Sequence, residues 1–155
     1  MTNINWHYPV SLDEAVGLLQ DNNIVPHGGG TSLVKRQLPG VEGFLCLKAL
    51  GLNYIRREKG MVRIGSMTTY AETVSGIRAF APGHALVRSL EHAANTPCRN
   101  RITLGGSIAF VPPWSDLIGA LLALDARVVL AGAETQDLLL RDYLDRPELH
   151  RKTLI

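Results

Sequence analysis

Only two cysteines, Cys46 and Cys98, occur in a chain of 155 residues, and they lie far apart. That scarcity excludes a disulfide framework and an iron–sulfur cluster held by this chain alone, and fits buried or half-buried thiols in a reducing compartment. Charge is also sparse: Asp, Glu, Lys and Arg make up 19% of the residues, for a formal net charge of +2. The basic side chains come as isolated pairs (Lys35-Arg36, Arg56-Arg57, Arg151-Lys152) and never as a tract. Nucleic acid or a membrane surface is therefore disfavoured as the main partner. No apolar run approaches a membrane span, and the opening Met-Thr-Asn-Ile-Asn-Trp-His has neither a basic nor an apolar leader segment. Cytoplasm is the expected compartment. His84 and His92 stand eight residues apart, too far for a helical pair of metal ligands, so no metal is assigned. Neither G-x-G-x-x-G nor G-x-x-x-x-G-K-[ST] occurs, which leaves a Rossmann fingerprint and a Walker A loop unsupported.

What is present begins with a hydrophobic content of 46%, enough for a core in one domain or in two small lobes sharing a cleft. Ile4 to Pro9 reads as a short strand. Ser11 and Glu14 make a capping box, and Leu12, Ala15, Val16 and Leu19 fall on one helical face. Asn23-Ile24-Val25 reads as the next strand of a small βαβ unit, and Phe44 to Leu47 as a third apolar run. The second strand runs into Pro26-His27-Gly28-Gly29-Gly30-Thr31-Ser32-Leu33. Three glycines followed by two hydroxyls allow backbone N–H groups to approach an anion, and the same stretch also fits a plain strand-to-helix loop, with a helix opening over residues 31–37.

From residue 53 the pattern changes. Tyr54–Glu58 and Met61–Gly65 flank Lys59-Gly60 as a hairpin. Thr69 and Glu72 cap a helix, and His84 to Asn95 reads as a longer one stopped by Pro97. A second glycine turn, Thr103-Leu104-Gly105-Gly106-Ser107, follows, then Ser115-Asp116 at the head of an apolar helix and a hairpin from Ala126 to Leu140. Thr153-Leu154-Ile155 reads as the start of an apolar strand, as if a further segment or a partner supplies the rest. The fold class expected is α+β: a βαβ lobe over about 1–52 and a second lobe over about 53–155 with an antiparallel sheet and helices. Two glycine turns with adjacent hydroxyls suit a dinucleotide pyrophosphate lying between such lobes.

Gly-Gly-Thr-Ser-Leu at 29–33, Arg-Asn-x-x-Thr-Leu-Gly-Gly-Ser at 99–107, Pro-x-Ser-Asp at 113–116 and Leu-Leu-Ala-Leu-Asp-Ala at 121–126 together resemble the FAD-binding subunit of molybdopterin hydroxylases, the xanthine and carbon monoxide dehydrogenase medium subunits. The resemblance spans essentially the whole chain and implies FAD as cofactor in a two-lobed FAD-binding fold. It implies that the loop of Pro26, His27, Gly28, Gly29, Gly30, Thr31, Ser32 and Leu33 is the first flavin loop, whose backbone amides and Thr or Ser hydroxyls hold the pyrophosphate. Thr103, Leu104, Gly105, Gly106 and Ser107 would close over the phosphates and ribityl chain, and Asp116 would accept from the adenosine ribose. With the tail taken as the family's Glu-Leu-Ile segment, Ile155 would lie against the isoalloxazine ring. Gly28 stands where the family has Ala, Ser107 where it has Asn and Ile102 where a small residue is common. The family also continues into a C-terminal domain not found in this chain.

The implied function is electron transfer from [2Fe–2S] clusters on a small partner subunit, through FAD, to NAD+ or another acceptor, beside a molybdopterin-binding large subunit that carries out the hydroxylation. No residue is required as a general acid or base, so the site is cofactor-binding and not catalytic. Ser107 and the missing domain motivate an alternative, a scaffold or assembly subunit with weakened flavin binding. Taken alone, Asp116 equally suits the first turn of a helix, Thr103 a strand, His27 a loop and Trp114 a packing role between prolines.

Overall fold

In the computed structural model, which describes residues 4–21, 23–35, 39–113 and 115–155, the chain opens with three strands, β1 (Asn5–His7), β2 (Ile24–His27) and β3 (Gly43–Cys46). The last of these lies in the middle, paired in parallel with both others. The expected βαβ unit is thus present with a change of neighbours, because β3 inserts between β1 and β2. Leu45, on the central strand, is fully enclosed.

Helix α1 (Leu12–Leu19) crosses over one face and buries Ala15 and Leu19 against Leu45 and Leu47. Each such leucine contributes about 1.5–3 kcal/mol by leaving water. Ser11 Oγ accepts from the Glu14 N–H at 3.2 Å. Glu14 reaches back one residue further than a capping box requires, accepting from the Val10 N–H at 2.9 Å.

The hairpin β4 (Ile55–Glu58) and β5 (Met61–Ile64) is antiparallel as expected. Its turn has φ of 48° at Lys59 and 80° at Gly60, the two left-handed residues of a type I′ turn. Four helices follow: α2 (Tyr70–Arg78), α3 (Ala85–Leu90), α4 (Thr96–Arg99) and α5 (Leu104–Phe110). The capping box at Thr69 and Glu72 is complete. Burial alone would raise the Glu72 pKa, but hydrogen bonds from Asn53 and from the Thr69 amide and hydroxyl outweigh it and hold the carboxyl below its ordinary value.

Two expected helices differ. The one drawn from His84 to Asn95 stops at Leu90, and Ala94 turns left-handed at φ 52°. Pro97 then begins α4, in the first turn where a missing N–H leaves nothing unpaired, with Asn95 Oδ1 accepting from Cys98 N–H at 2.9 Å. The helix expected over 31–37 is a three-residue 3₁₀ turn, Leu33–Lys35, while residues 36–38 lie outside the described residues, as does Trp114.

Helix α6 (Asp116–Ala123), the hairpin β6 (Arg127–Leu130) and β7 (Gln136–Leu139), and helices α7 (Leu140–Leu144) and α8 (Leu149–Lys152) complete the chain. A core from Tyr70, Ile77, Leu90, Leu117, Leu130 and Tyr143 joins these elements. Burial pushes the Tyr143 phenol up to about 12. The tail then returns: Leu154 exchanges both backbone bonds with Ala131 at 2.7 and 2.8 Å and buries its side chain in the first cluster, beside Leu45 and Leu47.

Candidate functional site

The first glycine loop leaves the carboxyl end of β2, the edge of a parallel sheet where ligands collect. It lies on the segment that starts α5, and the contact is backbone on backbone. A Cβ at Gly29 would stand 1.6 Å from the Arg101 carbonyl oxygen, and one at Gly105 would stand 2.6 Å from Ser66 Cβ. Arg101 completes the junction by donating from Nε and Nη2 to the Gly29 carbonyl at 3.3 and 3.1 Å. The glycines are points of close approach between two parts of the chain. At Gly30, φ is +75° and the His27 ring fills the space a side chain would take.

Between the loops is a cleft of about 210 Å³. Pro26, Gly28, Gly29, Gly30, Thr31, Ser32 and Leu33 line it from one side, and Thr103, Gly105, Gly106 and Ser107 from the other, with Ile155 arriving on the tail. Three residues expected at the site do not line it. His27 turns its ring to Trp6, 4.9 Å between centroids, and to Phe44. Burial there holds the imidazole below its ordinary pKa, against a backbone hydrogen bond that raises it, and the Arg101 guanidinium lowers it further. Leu104 points into the second core. Asp116 is exposed on the first turn of α6.

The hydrogen-bond accounting separates the two loops. Among the described residues the N–H groups of Gly29, Gly30, Thr31 and Ser32 have no acceptor, whereas the Gly29 carbonyl is taken by Arg101 and the Gly30 carbonyl by the Leu33 and Val34 amides. Four adjacent donors are left over while the carbonyls of Gly29 and Gly30 are used, so this loop presents a surface suited to an anion. At the second loop the four amides from Leu104 to Ser107 are engaged internally: Leu104 to Thr68 O, Gly105 to Ser66 O, Gly106 to Thr103 Oγ1 and Ser107 to Thr103 O, all within 3.2 Å. The second glycine pair is the first turn of a helix capped by Thr103, and it offers hydroxyls instead of amides.

Ser66, Met67, His150 and Thr153 also line the cleft and were missed in the sequence. Gly65-Ser66-Met67-Thr68-Thr69 is a third glycine-and-hydroxyl run, and that pattern was the available signal. Ser66 Oγ is buried with no hydrogen-bond partner. A buried hydroxyl without a partner is an incomplete site. Four unpaired amides and an unpaired hydroxyl fit the oxygen-rich pyrophosphate and sugar of a dinucleotide.

A donor-lined cleft at a parallel sheet edge, between two apolar cores, defines a nucleotide-cofactor-binding domain. The chain belongs to the family of FAD-binding domains in molybdopterin dehydrogenases, whose model matches residues 2–155. It is 29% identical to the nicotinate dehydrogenase FAD-subunit of Eubacterium barkeri, covering 100% of this chain and 55% of that protein. It is 32% identical to the glyceraldehyde dehydrogenase medium chain of Sulfolobus acidocaldarius, covering 79% and 46%. The fold superposes on CO dehydrogenase from Oligotropha carboxidovorans with a TM-score of 0.82, at 29% identity, covering 90% of this chain and 51% of that one. The chain thus spans about half the length of the relatives it matches. The family and the mixed α+β fold that the glycine motifs implied are those found, and FAD is the family's cofactor. Among the described residues no helix is long and apolar enough to cross a membrane.

Proposed function

We propose that this chain is the FAD-carrying part of a molybdenum hydroxylase complex, working between the [2Fe–2S] clusters of a small partner subunit and NAD+ or another acceptor, while a molybdopterin-binding large subunit oxidises the substrate. The observation that carries this reading is the first loop, whose amides from Gly29 to Ser32 are unpaired while its Gly29 and Gly30 carbonyls are engaged. In this reading those amides, with Thr31 and Ser32, hold the pyrophosphate. Ser66 and Ser107 donate from the opposite wall, Asp116 serves the ribose and Ile155 packs on the flavin ring. Bound FAD would supply the electron-carrying chemistry, and the chain supplies binding, orientation and exclusion of water. The lobes divide near residue 52, with Leu154 crossing back to the first.

Titration of the purified protein with FAD, followed by flavin absorbance and fluorescence quenching, tests this. Stoichiometric uptake that is lost in Gly105→Val is expected, because even its Cβ would stand 2.6 Å from Ser66 Cβ and 3.0 Å from the Ser66 carbonyl oxygen. A cooperatively folding protein that takes up no FAD, alone or with its partner subunits, would refute it.

A further inference from the structure

Tyr70 opens α2 and is 4% exposed. Its hydroxyl donates to Ser107 Oγ at 2.8 Å in a buried setting. On its other side Ser115 Oγ lies 3.3 Å away and itself accepts the Leu117 N–H at 3.3 Å. The protons in this row can be assigned by counting. The Leu117 amide only donates. Tyr70 uses its single proton on Ser107, so the proton between Ser115 and Tyr70 belongs to Ser115. Ser107 therefore receives a hydrogen bond and keeps its own proton, for which the described residues show no acceptor, and Ser107 lines the cleft. Hydroxyls donating in one direction polarise one another, which strengthens the last donor.

We propose that Tyr70 is a positioning residue for cofactor binding: its hydroxyl holds Ser107 Oγ from the buried side, so that the Ser107 proton is presented to an oxygen of the ligand. The inference rests on the reading of the cleft as the FAD site and adds to it a residue that touches no ligand. It also gives Ser107, where Asn is usual in the resemblance drawn above, a means of donating into the cleft despite its shorter side chain. The row ties the start of α6 to the floor of the site.

The test is a double-mutant cycle on the full-length protein, reading the Kd for FAD by fluorescence quenching together with thermal unfolding of the unliganded protein. Tyr70→Phe keeps the ring and removes the hydroxyl, and Ser107→Ala removes the donor. Each single change should weaken FAD about 3- to 10-fold, and the double variant should bind no worse than Ser107→Ala alone. A Tyr70 that merely supported the fold would weaken binding by the same factor with or without the Ser107 hydroxyl, and multiplying effects would overturn the proposal. So would wild-type affinity in either single variant, and Ser107→Ala gives that answer even if Tyr70→Phe fails to fold. Failure of the wild type to take up FAD instead overturns the reading of the cleft, and the relay with it.

Discussion

Replacing Gly29 with alanine adds one methyl group at the tightest contact between the two loops. That carbon would stand 1.6 Å from the Arg101 carbonyl oxygen and 2.7 Å from its carbonyl carbon, where ordinary contact begins at 3.4 Å. Both neighbours are backbone, so no rotamer change relieves the clash, and the loops must separate by nearly 2 Å. Overpacking of this kind costs about 1–3 kcal/mol. Loss of the exposed Arg101 bonds to the Gly29 carbonyl adds up to about 1 kcal/mol. A total of about 1–4 kcal/mol lowers Tm by roughly 2–16 °C in a chain of this size. The displaced amides weaken FAD by about 10- to 100-fold, the equivalent of one hydrogen bond to a charged group. Gly28→Ala is the control. Its Cβ would meet Thr103 Oγ1, a side-chain atom, at 3.0 Å and nothing else closer than 3.5 Å, so stability and affinity should stay near wild type. Differential scanning fluorimetry and FAD titration of both variants decide it. Wild-type behaviour of Gly29→Ala, or failure of Gly28→Ala in its place, would refute the interlocked-backbone account.

Three further outcomes are expected. Arg101→Met should weaken FAD about 3- to 10-fold, by titration, because the carbonyl that Arg101 holds belongs to the peptide whose N–H is that of Gly30; unchanged affinity would show that the loop holds its shape unaided. Ser66→Ala should shift two measurements in opposite directions. It relieves a buried hydroxyl without a partner, stabilising the ligand-free protein by up to about 1 kcal/mol in urea unfolding, yet it weakens FAD; a loss of stability in the ligand-free protein would count against an unmet donor. His27 is held below its ordinary pKa, so the unfolded chain takes up its proton first. Its contribution is complete above about pH 6.5 and declines as the pH falls through that value towards the lower folded one. Denaturant unfolding of His27→Phe between roughly pH 5 and 7.5 should show a shallower loss on the acid side, and an unchanged slope would assign that loss elsewhere.

What was legible in the sequence was local. The Lys59-Gly60 turn, the Thr69 and Glu72 capping box and the helix headed by Ser115 each depend on a few adjacent residues, and each formed as read. Where long-range contact decides, the reading moved. β3 lies at the centre of the sheet between β1 and β2, an order set by long-range pairing that no window of neighbouring residues displays. Pro97 has the same chemistry at the end of one helix and the start of the next, and the left-handed turn at Ala94 chose between them. The glycines marked the cleft correctly as a place of close approach, but sequence does not tell whether the close neighbour is a ligand or another stretch of backbone. Gly29 and Gly105 meet protein. Hydrogen bonding distinguishes the loop whose amides from Gly29 to Ser32 are free from the one whose amides from Leu104 to Ser107 are engaged.

The returning tail has a consequence for how the molecule is made. Leu154 fills the small core between α1 and β3, and it is synthesised long after the leucines it packs against, Leu45 and Leu47. While the intervening segments are being synthesised, the first sheet carries an open apolar socket, kept from its own filling by the order of translation. The lobe that bears the free amides is therefore finished late. An intermediate exposing that socket is the species a chaperone would be expected to recognise until Leu154 arrives to fill it.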